Sequence, residues 1–341
     1  MFKVMLAPNQ IPTKNDDITF PKYASLKRNG VRCLLFPINC NGGCFPDIVN
    51  KPISRTAKEI PNTNFQKYIK PVIQWCTDNQ VILDGEIYSP SLNAKGLNTH
   101  ISVLMSGRGK GISKEIPNDM QLHVFDMIKV GDWQNKTTPP YQERYKLLCD
   151  MLQTVKGTSP VLSQVFVLKQ ILVQEWKHVE VLAKRAWSIG EEGVMLRSPF
   201  TQYKHGRCSF KQNDLLKIKS FRTFDGVVIE IKQGQGVSKD AIRERDTFNR
   251  LKTVLKKEDK VFKNTMGAIL VQILDKEFAG VTIKVGTGFN IGGKDKMKDR
   301  NYIWEHKEDF IGKVLEFKAT TCGIKNKPLL PVFIRWRVDR D

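Results

Sequence analysis

The chain has 341 residues, 40% hydrophobic and 26% charged, proportions that fit ordinary packed cores, a length suited to two domains, and no wholesale disorder. Lysine and arginine number 55 against 35 aspartates and glutamates, a net charge of +20 shared by residues 1–220 and 221–341, so a polyanion gripped from more than one side is the expected partner. Seven cysteines do not describe a disulfide framework, and no apolar run approaches the roughly 18 residues of a membrane helix, so a reduced, intracellular, soluble monomer is expected.

Short runs of branched and aromatic residues bounded by Gly, Pro or Asn predict strands over Val31–Phe36, Val81–Tyr88, Gln121–Ile128, Gly193–Arg197 and Leu215–Lys219. Helical spacing predicts helices over Phe65–Thr77, Tyr141–Val155 and Gln174–Ile189, the last ending at Gly190 as a C-cap would. Strands and helices intermix without strict alternation, which argues for α+β with antiparallel sheets. After about Phe221 strands dominate: Asp225–Lys232, Ala268–Leu274, Val281–Val285, Val314–Thr320 and Pro331–Val338, with a basic insert, Lys239–Lys257, read as a helix. Five strands in a stretch of this length suit an OB-fold, a small barrel that binds oligonucleotides. The boundary is placed at Ser220–Phe224, giving domains 1–221 and 222–341.

Several stretches can carry chemistry. Leu26-Lys27-Arg28-Asn29-Gly30-Val31-Arg32 puts a lysine before a glycine turn that leads into a strand. A nucleophilic lysine must be neutral, and moving its pKa from about 10.4 to 7 costs roughly 5 kcal/mol, part of which neighbouring cations or a metal can supply. Leu83-Asp84-Gly85-Glu86 and Glu191-Glu192-Gly193 set carboxylates beside glycines, where Mg²⁺ could sit with substrate phosphates. Phe125 interrupts an apolar strand, and Lys217 and Lys219 share one strand face, which suits a triphosphate. Taken singly, each also reads as a solvated lysine, an Asp-Gly turn, a core aromatic or an exposed edge. Gly288–Lys294 has P-loop spacing, but Asp295 stands where Ser or Thr must hold Mg²⁺ and would repel phosphate, so a P-loop is not expected.

The order is more specific than any piece. The motifs around Lys27, Ser54-Arg55, Asp84–Glu86, His123–Ile128, Glu192–Arg197 and Leu216–Lys219 are followed by Met266-Gly267-Ala268, Gly286-Thr287-Gly288-Phe289 and Arg335-Trp336-Arg337-Val338-Asp339-Arg340. From about Lys22 to Asp341 the chain resembles the covalent nucleotidyltransferases, and its ending resembles the ATP-dependent DNA ligases in their minimal two-domain form. That resemblance implies an antiparallel-sheet adenylation domain followed by an OB-fold, with ATP and Mg²⁺ as cofactors and nicked duplex DNA as partner. It implies that Lys27 takes AMP from ATP, with Lys217 and Lys219 stabilising the exchanging phosphates. Leu26, Arg32, Arg55, Glu86, Phe125, Arg335 and Arg337 are then expected at the nucleotide, Phe125 stacking on adenine. Glu86 and Glu192 are expected at the metal. The basic loop carrying Arg108 and Lys110, and the insert Lys239–Lys263, are expected on DNA.

The chain departs from the family pattern at four places. Asn29 stands where an Asp is usual, Ser25 where some relatives read adenine with a Glu, Leu329 where an Arg is expected, and Arg340 where a Lys is usual. An RNA ligase, a capping guanylyltransferase or a non-catalytic DNA-binding protein on the same fold are the alternatives. Only 26 residues precede Lys27, so no large helical DNA-binding domain is expected upstream.

Overall fold

The branched and aromatic runs become strands of two sheets in the first of the chain's two units, Met1–Lys219 and Ser220–Asp341. A computed structural model describes residues 3–38, 51–93, 99–107, 111–154, 162–245, 251–253, 258–320 and 327–337. In chain order the first unit has β1 (Lys22–Lys27), β2 (Val31–Leu35), β3 (Ile53–Ser54), α1 (Thr63–Asp78), β4 (Val81–Tyr88), α2 (Pro90–Asn93) and α3 (Thr99–Leu104). There follow β5 (Gln121–Lys129), α4 (Val130–Asn135), α5 (Tyr141–Thr154), β6 (Val165–Val167), β7 (Ile171–Val173), α6 (Trp176–Ser188), β8 (Gly193–Arg197) and β9 (Leu215–Lys219). One sheet runs β3-β2-β4-β5-β6, antiparallel except for β5–β6, and the other runs β7-β1-β8-β9, antiparallel throughout. The architecture is α+β with antiparallel sheets, as expected.

Each sheet buries one face against helices. In α1, Phe65, Ile69, Val72, Ile73 and Cys76 recur at helical spacing and pack with Leu83, Ile87, Val124 and Leu148. Its start is set by Asn62, whose side chain accepts from the Phe65 amide at 3.0 Å. The second sheet packs Ala24, Val194, Leu196 and Ile218 against Val179, Ala183 and Ala186 of α6. That helix stops at Gly190, whose φ of 79° a side chain would resist. The sequence reading missed β1, because Lys22 disguises it: this lysine is 2% exposed, with Nζ on the Asn213 carbonyl at 2.5 Å.

Buried ion pairs join the two sheets. Asp126 of β5 accepts from Arg144 Nε and Nη2 at 2.9 and 3.0 Å, and from Arg197 Nη1 of β8 at 2.5 Å. Asp84 of β4 accepts from Arg32 Nε and Nη2 at 2.8 and 2.5 Å, and from the Tyr203 hydroxyl at 2.7 Å. Burial works against the Asp126 charge, but Arg144 and Arg197 outweigh it and hold the carboxyl below its usual range.

The second unit has β10 (Arg222–Val237), β11 (Arg243–Arg245), β12 (Leu251–Thr253), β13 (Lys260–Ile273), β14 (Thr282–Val285), α7 (Arg300–Glu305), β15 (Val314–Thr320) and β16 (Leu329–Trp336). Its main sheet is ordered β14-β13-β10-β15-β16 around a core that includes Phe224, Ile269, Val285, Phe317 and Phe333. The two edges meet where the Phe333 amide donates to Thr287 O at 2.8 Å, so the five strands take the barrel order of an OB-fold.

The insert corrects the sequence reading. The helix expected over Lys239–Lys257 is, where described, a β hairpin, with Arg243 opposite Thr253 and Arg245 opposite Leu251. Its flanking strands continue as a two-stranded ribbon out to Val237↔Lys260. The ribbon satisfies backbone groups across the pair, whereas a short helix here would have no core to bury an apolar face against: Ile242 and Leu251 are 53% and 64% exposed. Among the described residues no helix is long and apolar enough to cross a membrane.

Asp126→Asn leaves two buried guanidiniums without a counter-charge. It is expected to destabilise the protein by about 3–5 kcal/mol in urea unfolding at neutral pH. Because the native pKa is depressed, the gap from wild type is full above about pH 4 and shrinks as pH falls through that lowered pKa. A gap that stays constant down to acid pH contradicts this role.

Candidate active site

The register of β1, β8 and β9 places Lys27 opposite Gly193, and Gly193 opposite Lys219, in one row across three strands. A side chain at 193 would not fit: its Cβ would lie 2.0 Å from Ile218 O, and φ is 146°. Just before this glycine, the Glu192 amide donates to Lys27 O at 3.2 Å. The Glu192 carboxylate Oε2 then lies 2.8 Å from Lys27 Nζ and 2.6 Å from Lys219 Nζ. Burial pushes this carboxyl up, but the two ammoniums outweigh it and hold it below its usual range. Lys217 projects on the same strand face as Lys219. Burial, then the nearby charge of Lys219, Arg207 and Lys27, lowers the Lys217 pKa to about 8.

The other sheet supplies a second row, Arg32 opposite Glu86 and Glu86 opposite His123. The turn between Lys27 and this row needs Gly30, where a Cβ would meet Ile87 O at 2.1 Å. Burial raises the Glu86 pKa to about 7; Lys27 and Arg32 pull it down, and Glu192 and Asp84 push it up. Glu86 thus feels the charges of both Lys27 and Glu192. Phe125 is half-buried, with the Arg32 and Arg197 guanidiniums 5.3 and 5.8 Å from its ring centroid. Arg32 Nη1 also donates to Met5 O at 2.7 Å, so this side chain is fixed on three sides. Leu26 is half-buried on β1 beside Lys27.

Other expected residues stand on other elements. Arg55 is exposed in the turn after β3, and among the described residues it makes no ion pair. Arg335 and Arg337 belong to the second unit, where Arg335 Nε lies 2.6 Å from Glu316 and Arg337 Nε 3.1 Å from Asp225. Arg108, Lys110, Asp339 and Arg340 lie outside the described residues. Asn29 is 3% exposed, its Nδ2 donating to Asn93 Oδ1 at 3.1 Å. Ser25 is buried opposite Met195. In the stretch with P-loop spacing, the Gly292 and Gly293 amides donate to the Asp299 carboxylate, an internal turn. The sequence reading missed Asp84, Asp126, Arg197 and Tyr203 as supports of the site. For Asp84, Asp126 and Arg197 the available signal was a charged residue inside a strand otherwise buried along its length; Tyr203, in the β8–β9 connection, carried none.

A family model described as ATP dependent DNA ligase domain matches residues 9–219. A DNA ligase of Methanopyrus kandleri is 30% identical over 132 residues, covering 38% of this chain and 22% of that protein. One from Methanothrix thermoacetophila is 28% identical over 159 residues, covering 46% of this chain and 26% of that protein. The chain thus matches about a quarter of the length of these curated relatives. Among solved structures, one from a structure–function study of Lig E DNA ligases has a TM-score of 0.59 at 19% identity, covering 99% of this chain and 100% of the other.

Lys217 is expected to titrate near pH 8 in NMR of the ¹³C-methylated protein. Lys219→Met removes a neighbouring cation and moves that titration upward. A Lys217 that titrates with the exposed lysines contradicts the burial argument.

Proposed function

The chain belongs to the ATP-dependent DNA ligase family, and from that premise we propose that it seals nicks in duplex DNA through an AMP carried on Lys27. Lys27 Nζ attacks the α-phosphorus of ATP; the N–P bond forms, the bond to pyrophosphate breaks, and the lysine proton is lost. AMP then passes to the 5′-phosphate at a nick, and the 3′-hydroxyl displaces AMP to form the phosphodiester. The observation that carries the reading is the single Glu192 carboxylate between Lys27 and Lys219, in the neighbourhood of Glu86. Phosphoryl transfer needs mainly positioning and charge stabilisation, and this cluster offers both.

Lys217 and Lys219 would neutralise the phosphates, and Phe125 would stack on the adenine. Arg32 and Arg55 would meet the nucleotide or the nick phosphate. Glu86 would hold the ribose. Two carboxylates, Glu86 and Glu192, fit Mg²⁺, which commonly takes one or two such ligands beside phosphate oxygens. When bound, the ion would neutralise phosphate charge. A Glu86 that ionises near pH 7 would be drawn to its carboxylate form by that charge. For Arg335 and Arg337 we retain contacts with the departing pyrophosphate. For the basic arm around Lys239–Lys263, with Arg108 and Lys110, we retain contacts with the DNA backbone. Asn29 occupies a neutral amide pair, so no acid acts from that position.

Incubation with α-labelled ATP and Mg²⁺ is expected to label wild type and not Lys27→Ala, and only wild type should seal a nicked DNA duplex. Label from GTP alone would favour a capping-type enzyme. Sealing confined to RNA would favour an RNA ligase. No label from either nucleotide would favour a non-catalytic binding protein. Phe125→Ala is expected to raise the KM for ATP about ten-fold, the scale of one lost aromatic contact. Unchanged adenylation kinetics would make Phe125 a packing residue only.

A further inference from the structure

Behind the Lys27–Glu192 pair lies a second one, displaced by one residue on each segment. Arg28 Nη1 donates to Glu191 Oε1, with side chains 21% and 2% exposed. The Arg28 guanidinium also lies 4.8 Å from the Tyr88 ring centroid. The separate partners show that the side chains of Lys27 and Arg28 diverge, as do those of Glu191 and Glu192. The result is two ion pairs, front and back, across the same two segments.

The position of this second pair gives it a task. The β1–β8 ladder ends at Lys27↔Gly193. Beyond it one backbone bond remains between the segments, Glu192 N to Lys27 O at 3.2 Å. On its other side the Glu191 amide is tied to Ala186 O of α6 at 3.0 Å. The nucleophile and its carboxylate therefore stand at the frayed end of a ladder, where a side-chain link can fix what backbone pairing no longer does. Arg28 is held to β4 through Tyr88, whose hydroxyl also accepts from Asn93 Nδ2 at 3.4 Å, while Asn93 accepts from Asn29.

We propose that the Arg28–Glu191 pair is a positioning device that sets the Lys27–Glu192 spacing for attack on ATP. The proposal rests on the ligase reading. Neither residue touches the reacting atoms. Both act through the backbone of the residue next to them, where a misplacement of about 1 Å can cost a hundred-fold in rate.

The experiment measures two steps separately in the full chain: formation of Lys27-linked AMP from ATP, and sealing of a nick whose 5′ end already carries AMP. The second does not use Lys27 as nucleophile. Arg28→Met and Glu191→Met are each expected to slow adenylation at saturating ATP by about ten-fold or more, with KM for ATP within about two-fold. Sealing of the pre-adenylated nick should stay within about three-fold of wild type. Glu191→Gln, whose amide oxygen still accepts from Arg28, should recover most of the adenylation rate. Arg28→Met/Glu191→Met should be no slower than either single variant, since both act through one link. If a single variant does not fold because it buries an unpaired charge, the double variant, which buries none, carries the test.

Wild-type adenylation rates in the folded variants overturn the proposal. So do equal losses in both steps, which would make the pair a general support, or losses that add in the double variant. A wild type that forms no Lys27-linked AMP overturns the ligase reading itself.

Discussion

One carboxylate shared by two ammonium groups is the constraint around which the first unit is arranged. Lys27 and Lys219 stand on strands that are not neighbours; β8 runs between them, and Glu192 leads into β8. Like charges brought this close repel, and partial burial strengthens the repulsion. Glu192 turns that repulsion into two attractions, and the depressed pKa of its carboxyl is the counterpart of the same energy. The arrangement requires the strands to pair in this register, and Gly193 is the residue that permits it. Any side chain there would drive β8 from β9 and pull the two lysines apart.

The second requirement is that the β2–β4–β5 sheet bring Glu86 within reach of the charges of Lys27 and Glu192. Apolar packing alone does not set the offset between two sheets, since sliding one past the other exchanges similar contacts. Directional charged bonds do set it. Asp126 joins β5 to Arg197 of β8, and Asp84 joins β4 to Tyr203 of the β8–β9 connection. Buried ion pairs contribute little net stability against a well-packed apolar alternative, but they penalise every arrangement that leaves one partner alone. Phe125 lies beside these links, with the guanidiniums of Arg32 and Arg197 at 5.3 and 5.8 Å from its ring centroid.

The second unit solves a different problem with similar means. Its strands form a barrel-ordered sheet whose edges meet at Thr287 and Val332, which leaves little open edge for unwanted pairing. Arg335 and Arg337 sit at the margin of this sheet beside Glu316 and Asp225, and these ion pairs orient their guanidinium forks. The ribbon of β10 and β13 carries basic residues away from the barrel core on paired backbone, a stiffer support than a loop.

Much of this was legible in the sequence by itself. Local patterns that depend on neighbours in the chain were readable: Val81–Tyr88, Gly193–Arg197, Leu215–Lys219 and Val314–Thr320 are strands with the expected bounds. The ordered motifs named the family and picked Lys27, Glu86, Phe125, Glu192, Lys217 and Lys219 before their positions were known. Only the tertiary structure decided which of these meet. That Glu192 contacts both Lys27 and Lys219, that Arg28 pairs with Glu191, and that Lys22 belongs to a buried strand all depend on residues far apart in the chain. The insert was misread for the same reason: its charged sequence permits helix or strand, and the paired strands on either side settle the matter by supplying backbone partners. Periodicity and motif order are written along the chain, whereas register, ion pairing and the burial of a charge depend on what folds against it.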